Sequence, residues 1–138
     1  MATLNTINAE SQAILADGFM VFATNQVKTG CGCEIVHTAG SNTIELRGAG
    51  VYLVTVNADV APTGAGLITM QLVRNTFAVS GAEASVTGVA GETANLSFTT
   101  LVKVLRSCPV IDNQANLQVQ LTAPATVTNV SATIVKVA

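Results

Sequence analysis

The stretch GAGVYLVTVNADVAPTGAG, residues 48–66, alternates its side chains with a period of two between glycine-containing turns. Apolar side chains occupy every second position from Tyr52 to Val60, whereas the positions between them become polar from Thr55 onward. A period of two predicts a β-strand with one buried face. The stretch carries no side chain that could catalyse a reaction, so it gives information about the fold and not about the function.

The same alternation recurs along most of the chain. It predicts further strands over residues 43–47, 68–73, 77–86, 96–104, 116–122 and 127–137, with one or two short strands within 14–24. We expect 43–47 and the quoted strand to pair as a hairpin through the turn at 48–50. The last strand, 127–137, is apolar on both faces, as a central strand or a subunit contact would be. Without any helical period, this pattern predicts an all-β sandwich or barrel.

The composition limits the partners that the chain could bind. Charged residues make up only 10% of the chain and hydrophobic residues 49%, whereas ordinary soluble domains are roughly a quarter charged. No apolar run approaches the roughly 20 residues of a membrane-spanning helix, and a net charge of −2 without a basic run gives no basis for nucleic-acid binding. We therefore expect copies of the chain, or a protein partner, to cover part of its surface.

The sequence offers little that could support catalysis or metal binding. His37 is the only imidazole, no G-x-S-x-G motif surrounds a serine, and the acidic residues are scattered, so we predict a non-enzymatic protein with His37 in a loop or on the surface. Cys31, Cys33 and Cys108 lack the spacing of a zinc site. A disulfide from Cys108 to Cys31 or Cys33 and unpaired loop thiols without a function are the alternatives. We assign no metal and no cofactor.

The segment IELRGAGVYLVTV, residues 44–56, resembles a hairpin that recurs in the C1q/tumour-necrosis-factor (TNF) jelly roll. That family carries a G-x-Y-x-V strand, matched here by Gly50, Tyr52 and Val54. The later segments LITMQLVRN, LSFTTLVKVL, ANLQVQLTA and VSATIVKV follow in a compatible order, so the resemblance covers residues 12–138. It is closest to the bacterial and phage branch, such as heads of collagen-like spore-surface proteins and small virion proteins. The resemblance implies a jelly-roll β-sandwich that forms a compact homotrimer around a threefold axis.

The first eleven residues differ from the rest and are predicted to form an N-terminal arm, with the jelly roll over 12–138. The arm has neither the basic region nor the apolar region of a signal peptide, so we expect synthesis in a host cytoplasm and location in a virion. The expected capsid-anchoring residues are Thr3, Leu4, Asn5, Thr6, Ile7 and Asn8. Three weak arms on one trimer would bind a capsid protein with avidity. Removing residues 1–10 should then leave the fold intact.

These expectations lead to two functional hypotheses. The first is a phage capsid decoration or head-fibre trimer, attached to the major capsid protein or another virion protein. The second is a receptor- or glycan-binding tip domain of a phage fibre or a bacterial surface protein, whose loops 59–66 and 108–113 would contact sugars. Neither loop carries the aromatic side chains that sugar binding favours, so the structural hypothesis comes first.

Overall fold

The computed structural model describes residues 2–30, 34–105 and 114–138. Those residues form strands and no helix, so no helix among them could cross a membrane. The strands are β1 (Thr3–Asn8), β2 (Gln12–Ile14), β3 (Thr24–Thr29), β4 (Ile35–Val36), β5 (Ile44–Leu46), β6 (Gly50–Pro62), β7 (Gly66–Arg74), β8 (Phe77–Gly88), β9 (Ala94–Val104), β10 (Ala115–Leu121) and β11 (Ala125–Lys136). The predicted all-β class is confirmed.

The strands form two antiparallel sheets that pair segments far apart in the sequence. Sheet 1 has the order β3-β1-β11-β6-β9, and β2 also pairs with β11. Sheet 2 has the order β4-β5-β10-β7-β8. Strand β11 lies between β1 and β6, which agrees with the first of the two alternatives given for 127–137, a central strand. The architecture is a jelly-roll sandwich.

The core lies between the two sheets and follows from the alternation in the quoted stretch. Tyr52, Val54 and Val56 of β6 are at most 1% exposed and belong to one buried cluster with Met70 and Leu121 of sheet 2. Burial of each such large apolar side chain contributes about 1.5–3 kcal/mol relative to exposure. The core is therefore formed by the inward-facing side chains of each strand. The outward-facing side chains can differ between the two sheets.

Short connections collect the strand termini at two opposite ends of the sandwich. We name these the Gly50 end and the Pro62 end, after the first and last residues of β6. Strand β6 spans 13 residues, which at about 3.3 Å per residue separates the two ends by about 40 Å. Connections 63–65, 89–93 and 122–124 lie at the Pro62 end, and connection 47–49 lies at the Gly50 end.

The predicted hairpin between 43–47 and the quoted strand is wrong. Strand β5 pairs with β4 and β10 in sheet 2, whereas β6 pairs with β9 and β11 in sheet 1. The connection 47–49 therefore crosses from one sheet to the other, and the Tyr52 hydroxyl fixes it by donating to the Gly48 carbonyl at 2.6 Å. Alternation shows which face of a strand is buried, but it does not show which strand lies beside it.

The expected free arm is also different in the structure, because Thr3–Asn8 form β1 inside sheet 1. Strand β1 pairs with β11 on one side and β3 on the other. Leu4 and Thr6 are fully buried, and Asn8 is 8% exposed. The Thr6 hydroxyl donates to the Thr24 carbonyl at 3.1 Å, so a polar side chain is accommodated inside the sandwich. The polar composition of the segment made it resemble an arm.

Candidate interaction surface

The outer face of sheet 1 consists of the side chains of its strands that point away from the core. Along the main strands its members are Thr3, Asn5, Ile7, Val51, Leu53, Thr55, Asn57, Asp59, Asn95, Ser97, Thr99, Leu101, Lys103, Asn129, Ser131, Thr133 and Val135. Asp59 and Lys103 are the charged members of this set. The face is therefore almost without charge over its central part.

Apolar side chains form one row across this face near the Gly50 end. Val135 pairs with Leu53, and Leu53 pairs with Leu101 on the edge strand β9. Leu101 is 60% exposed. A row of aliphatic side chains in water favours association, because covering it removes apolar area from solvent.

Hydroxyl and amide groups occupy the next row toward the Pro62 end, and they bond to one another. The Asn5 amide donates to the Thr133 hydroxyl at 2.8 Å, and the Thr55 and Thr99 hydroxyls lie 3.3 Å apart. Polar groups that already have a partner within the sheet cost less to remove from water than unpaired ones. This row can therefore be covered along with the apolar row.

A small polar depression lies at the far side of the same face. The Asn95 amide donates to Asn57 Oδ1 at 2.8 Å and to Asp59 Oδ1 at 2.9 Å, with Asn129 and Ser131 completing the lining. The depression has a volume of about 40 Å³. That space suits water molecules rather than a sugar ring, so the depression does not form a glycan site.

The outer face of sheet 2 is different in chemistry. The Gln71 amide donates to Gln120 Oε1 at 2.7 Å, and the Thr69 and Ser85 hydroxyls are 2.7 Å apart. At the Gly50 end of this sheet Arg47 forms an ion pair with Glu45. Within the part of the chain that the structure describes, this face carries no apolar row across its strands, so the outer face of sheet 1 is the candidate contact surface.

A titratable cluster lies at the Gly50 end, where β6 and β11 meet. Lys136 Nζ donates to Glu34 Oε1 at 2.8 Å, and this hydrogen bond raises the pKa of the lysine. Burial raises the pKa of the Tyr52 hydroxyl above its ordinary value of 10.0. Tyr52 has no exposed surface, so the cluster stabilises the fold and offers no group to a substrate.

His37 lies in the loop that follows β4, as predicted, but it is buried and does not lie on the surface. His37 is 4% exposed. Its Nε2 donates to the Ser41 carbonyl at 3.0 Å, and its Nδ1 lies 2.5 Å from Asn25 Oδ1. The ring also meets Phe22 edge-on, with centroids 6.2 Å apart. His37 therefore ties β3 to the segment after β4 and is not open to a reactant.

The remaining predicted site residues fall into two groups. Cys31, Cys33 and Cys108 lie outside the described residues. The strands before and after these cysteines, β3 and β4 in one case and β9 and β10 in the other, meet the Gly50 end of the sandwich. Of the expected anchoring residues, Thr3, Asn5 and Ile7 point outward, whereas Leu4, Thr6 and Asn8 point into the core. Contact between this segment and a capsid protein stays a prediction, with half of its side chains unavailable.

Of the two loops expected to contact sugars, the structure describes one, 59–66. Residues 59–66 include the connection at the Pro62 end. Residues 108–113 lie outside the described residues, and the strands before and after them, β9 and β10, meet the Gly50 end. Contact of these loops with sugars stays a prediction.

No group of three or more metal-ligating side chains occurs within residues 2–30, 34–105 and 114–138. In the same part of the chain, the only imidazole is enclosed and the tyrosine is buried.

Comparison with known proteins agrees with the jelly-roll fold. The sequence matches no protein-family model and no curated protein. Among solved structures, the globular domain of zebrafish complement 1qA is similar at 8% identity, with a TM-score of 0.74 over 100% of this chain and 98% of that one. Murine APRIL is similar at 8% identity, with a TM-score of 0.72 over 99% and 98%.

A third similar structure comes from a phage. The PRD1 vertex protein P5 shares 15% identity, with a TM-score of 0.60 over 99% of this chain and 97% of that one. These likenesses span whole chains. The fold is thus a TNF/C1q-like jelly roll, and the structures that share it include a phage vertex protein.

Proposed function

We propose that the chain is a non-enzymatic structural protein of a phage virion, a homotrimer that decorates the capsid or forms a head fibre. The observation that carries the proposal is the outer face of sheet 1, with its apolar row and its near absence of charge. The TNF/C1q resemblance implies the trimer, and the likeness to a phage vertex protein supports the virion setting.

In the trimer, the outer face of sheet 1 of each chain packs against its neighbours around the threefold axis. The row through Leu53, Leu101 and Val135 forms the apolar centre of the contact. The bonded hydroxyl and amide row beside it joins the contact without leaving unpaired groups. A chain with so few charges gains from covering this face, because little else on it favours hydration.

Leu101→Glu tests the trimer directly. Leu101 is exposed in the single chain, so a charge there does not disturb the core but does place an unpaired carboxylate in the proposed contact. We expect the variant to fold and to run as a monomer of 14.1 kDa, and we expect the parent chain to run at the mass of a trimer. Light scattering after gel filtration measures both masses.

The matched control is Leu67→Glu. Leu67 is 65% exposed, close to the 60% of Leu101, but it lies at the start of β7, away from this face. The control should remain trimeric in the same buffer at physiological salt. The proposed trimer contact would be contradicted by a Leu101→Glu variant that is still trimeric, or by a parent chain that is monomeric at micromolar concentration.

Location on the particle separates decoration from a second candidate, a binding domain at a vertex or fibre tip. The similarity to the PRD1 vertex protein P5 favours a vertex as that alternative. Electron microscopy of virions labelled with an antibody to the chain distinguishes them. Decoration gives many copies on the shell lattice, and a vertex or tip protein gives label at vertices or fibres only.

A further inference from the structure

The fold gathers the basic side chains of the described residues at one end. Strands alternate in direction, so residues well separated in the sequence return to the same end. Lys103 pairs with Val51 and Lys136 pairs with Tyr52, both near the first residue of β6. All five basic side chains of the described residues lie toward the Gly50 end: Lys28, Arg47, Arg74, Lys103 and Lys136.

Acidic side chains dominate the opposite end. Four of them lie in the half of the sandwich toward the Pro62 end: Glu10, Asp17, Asp59 and Glu92. Glu83 lies midway along β8, opposite Gln71. Glu34 and Glu45 lie at the Gly50 end, where each is held in an ion pair with a basic side chain.

The molecule therefore has two poles of opposite charge. Five basic and two acidic side chains give the Gly50 end a formal charge of +3, and four acidic side chains give the Pro62 end −4, among the described residues. Outside the described residues, Arg106 and Asp112 cancel in formal charge. The total of −2 conceals this separation.

Exposed apolar side chains accompany the charge at both poles. At the Gly50 end, Phe77 is 76% exposed, following a two-residue turn whose residues both have positive φ. Leu105 and Val137 are each 47% exposed at the same end. An exposed aromatic ring next to an arginine, here Arg74, is typical of protein contact surfaces.

The Pro62 end carries a comparable set. Leu15, Leu67 and Val89 are 79%, 65% and 55% exposed, in or next to the connections at this end. The connections are held together by backbone hydrogen bonds, such as Thr63 N to Pro124 O at 3.2 Å and Gly91 N to Pro62 O at 2.9 Å. The surface is therefore an ordered apolar patch with acidic residues around it.

We propose that the basic Gly50 end of one copy docks on the acidic Pro62 end of a second copy. The occupant is a second copy because the chain itself supplies the complementary partner: opposite charge and apolar side chains on the facing ends. This head-to-tail contact is heterologous, so it repeats and stacks copies into a linear array unless the rotation closes a ring. It uses the ends of the sandwich, so it goes beyond the lateral trimer contact and leaves that contact free.

Salt dependence gives the first test, by sedimentation velocity of the full chain. Charges screen over about 30 Å at ~0.01 M salt and over about 3 Å at ~1 M, so we expect the weight-average mass to rise roughly twofold or more at the lower salt. The larger species should be whole multiples of the unit seen at high salt. Negative-stain images at low salt should show linear stacks with a repeat of about 40 Å per copy, the length of β6.

Charge-reversed variants test which ends meet. Arg74→Glu lowers the formal charge of the Gly50 end from +3 to +1, and Glu92→Lys changes that of the Pro62 end from −4 to −2. Each variant alone should stack much less at low salt, and an equimolar mixture of the two should regain part of the association, because the unaltered basic end of the Glu92→Lys chain then meets the unaltered acidic end of the Arg74→Glu chain. Glu83→Lys is the control: it has the same charge change as Glu92→Lys but lies midway along β8, and it should still stack.

The outcomes separate this proposal from the trimer. The mass at high salt reports the lateral contact alone, and the change on lowering salt reports the end-to-end contact, so either can fail without the other. A mass independent of salt overturns the end-to-end contact. Equal effects of Glu83→Lys and Glu92→Lys would overturn it as well, since net charge rather than the poles would then control assembly.

Discussion

Replacing Leu4 with alanine should destabilise the protein strongly, although Leu4 lies in a segment whose sequence resembles an arm. Leu4 has no exposed surface and belongs to the core cluster. A buried Leu→Ala substitution costs about 2–5 kcal/mol, from lost burial and the cavity that remains. Total stabilities of about 5–15 kcal/mol make that a large share. The matched variant Ile7→Ala removes an outward, half-buried side chain of the same strand, and it should cost clearly less.

Thermal and urea unfolding measure the difference. At roughly 4 °C per kcal/mol for a chain of this size, Leu4→Ala should lower the Tm by roughly 8–20 °C. The concentration of chains must be equal in all samples, because association adds to apparent stability. Deleting residues 1–8 should prevent folding, since it leaves β11 and β3 without their shared neighbour. Equal small effects of both alanine variants, or a folded deletion variant, would show that β1 is peripheral.

Three further outcomes follow from side chains of the core and the turns. His37→Ala should lose about 1–3 kcal/mol in urea unfolding, since it leaves the Asn25 amide oxygen without its ring partner; no loss would mean that the network is not formed. Stability should fall as pH rises above 10.0, the ordinary pKa of tyrosine, because the raised pKa of Tyr52 keeps the hydroxyl neutral in the folded chain while it ionises in the unfolded chain. Tyr52→Phe should make this fall in stability smaller. An unchanged pH profile in the variant would show that another group causes the fall. Gly50→Ala should destabilise, because the φ of Gly50 is +150° and a Cβ would lie 2.5 Å from the Ala138 carbonyl oxygen; a Tm equal to that of the parent chain would contradict this.

Much of the fold could be predicted from strands with a clear period of two. The inward residues of β6, β7, β9 and β10 follow directly from alternation, because a half-buried strand repeats every second residue. Short or polar strands could not be predicted in the same way. Strand β1 buries Thr6 and Asn8, whose side chains form hydrogen bonds that become visible only when β3 and the segment before it are in place.

The contact surfaces could be predicted only in part. Low charge and high apolarity indicated a covered face, but not which sheet carries it, because that depends on the pairing of Leu53 with Val135 and Leu101. The charge separation had no sequence signal at all. Lys28 and Lys103 are 75 positions apart, and only antiparallel strand directions bring them to one end.

The central place of β11 has a consequence for synthesis. This strand emerges from the ribosome after all the others described, yet it pairs with both β1 and β6. Until it is translated, those strands keep unpaired edges, and such edges invite aggregation. Residues in β1 pair with residues about 128 positions later in the sequence, so sheet 1 can be completed only at the end of synthesis. Nascent chains should therefore depend on chaperones more than chains built from neighbouring hairpins do.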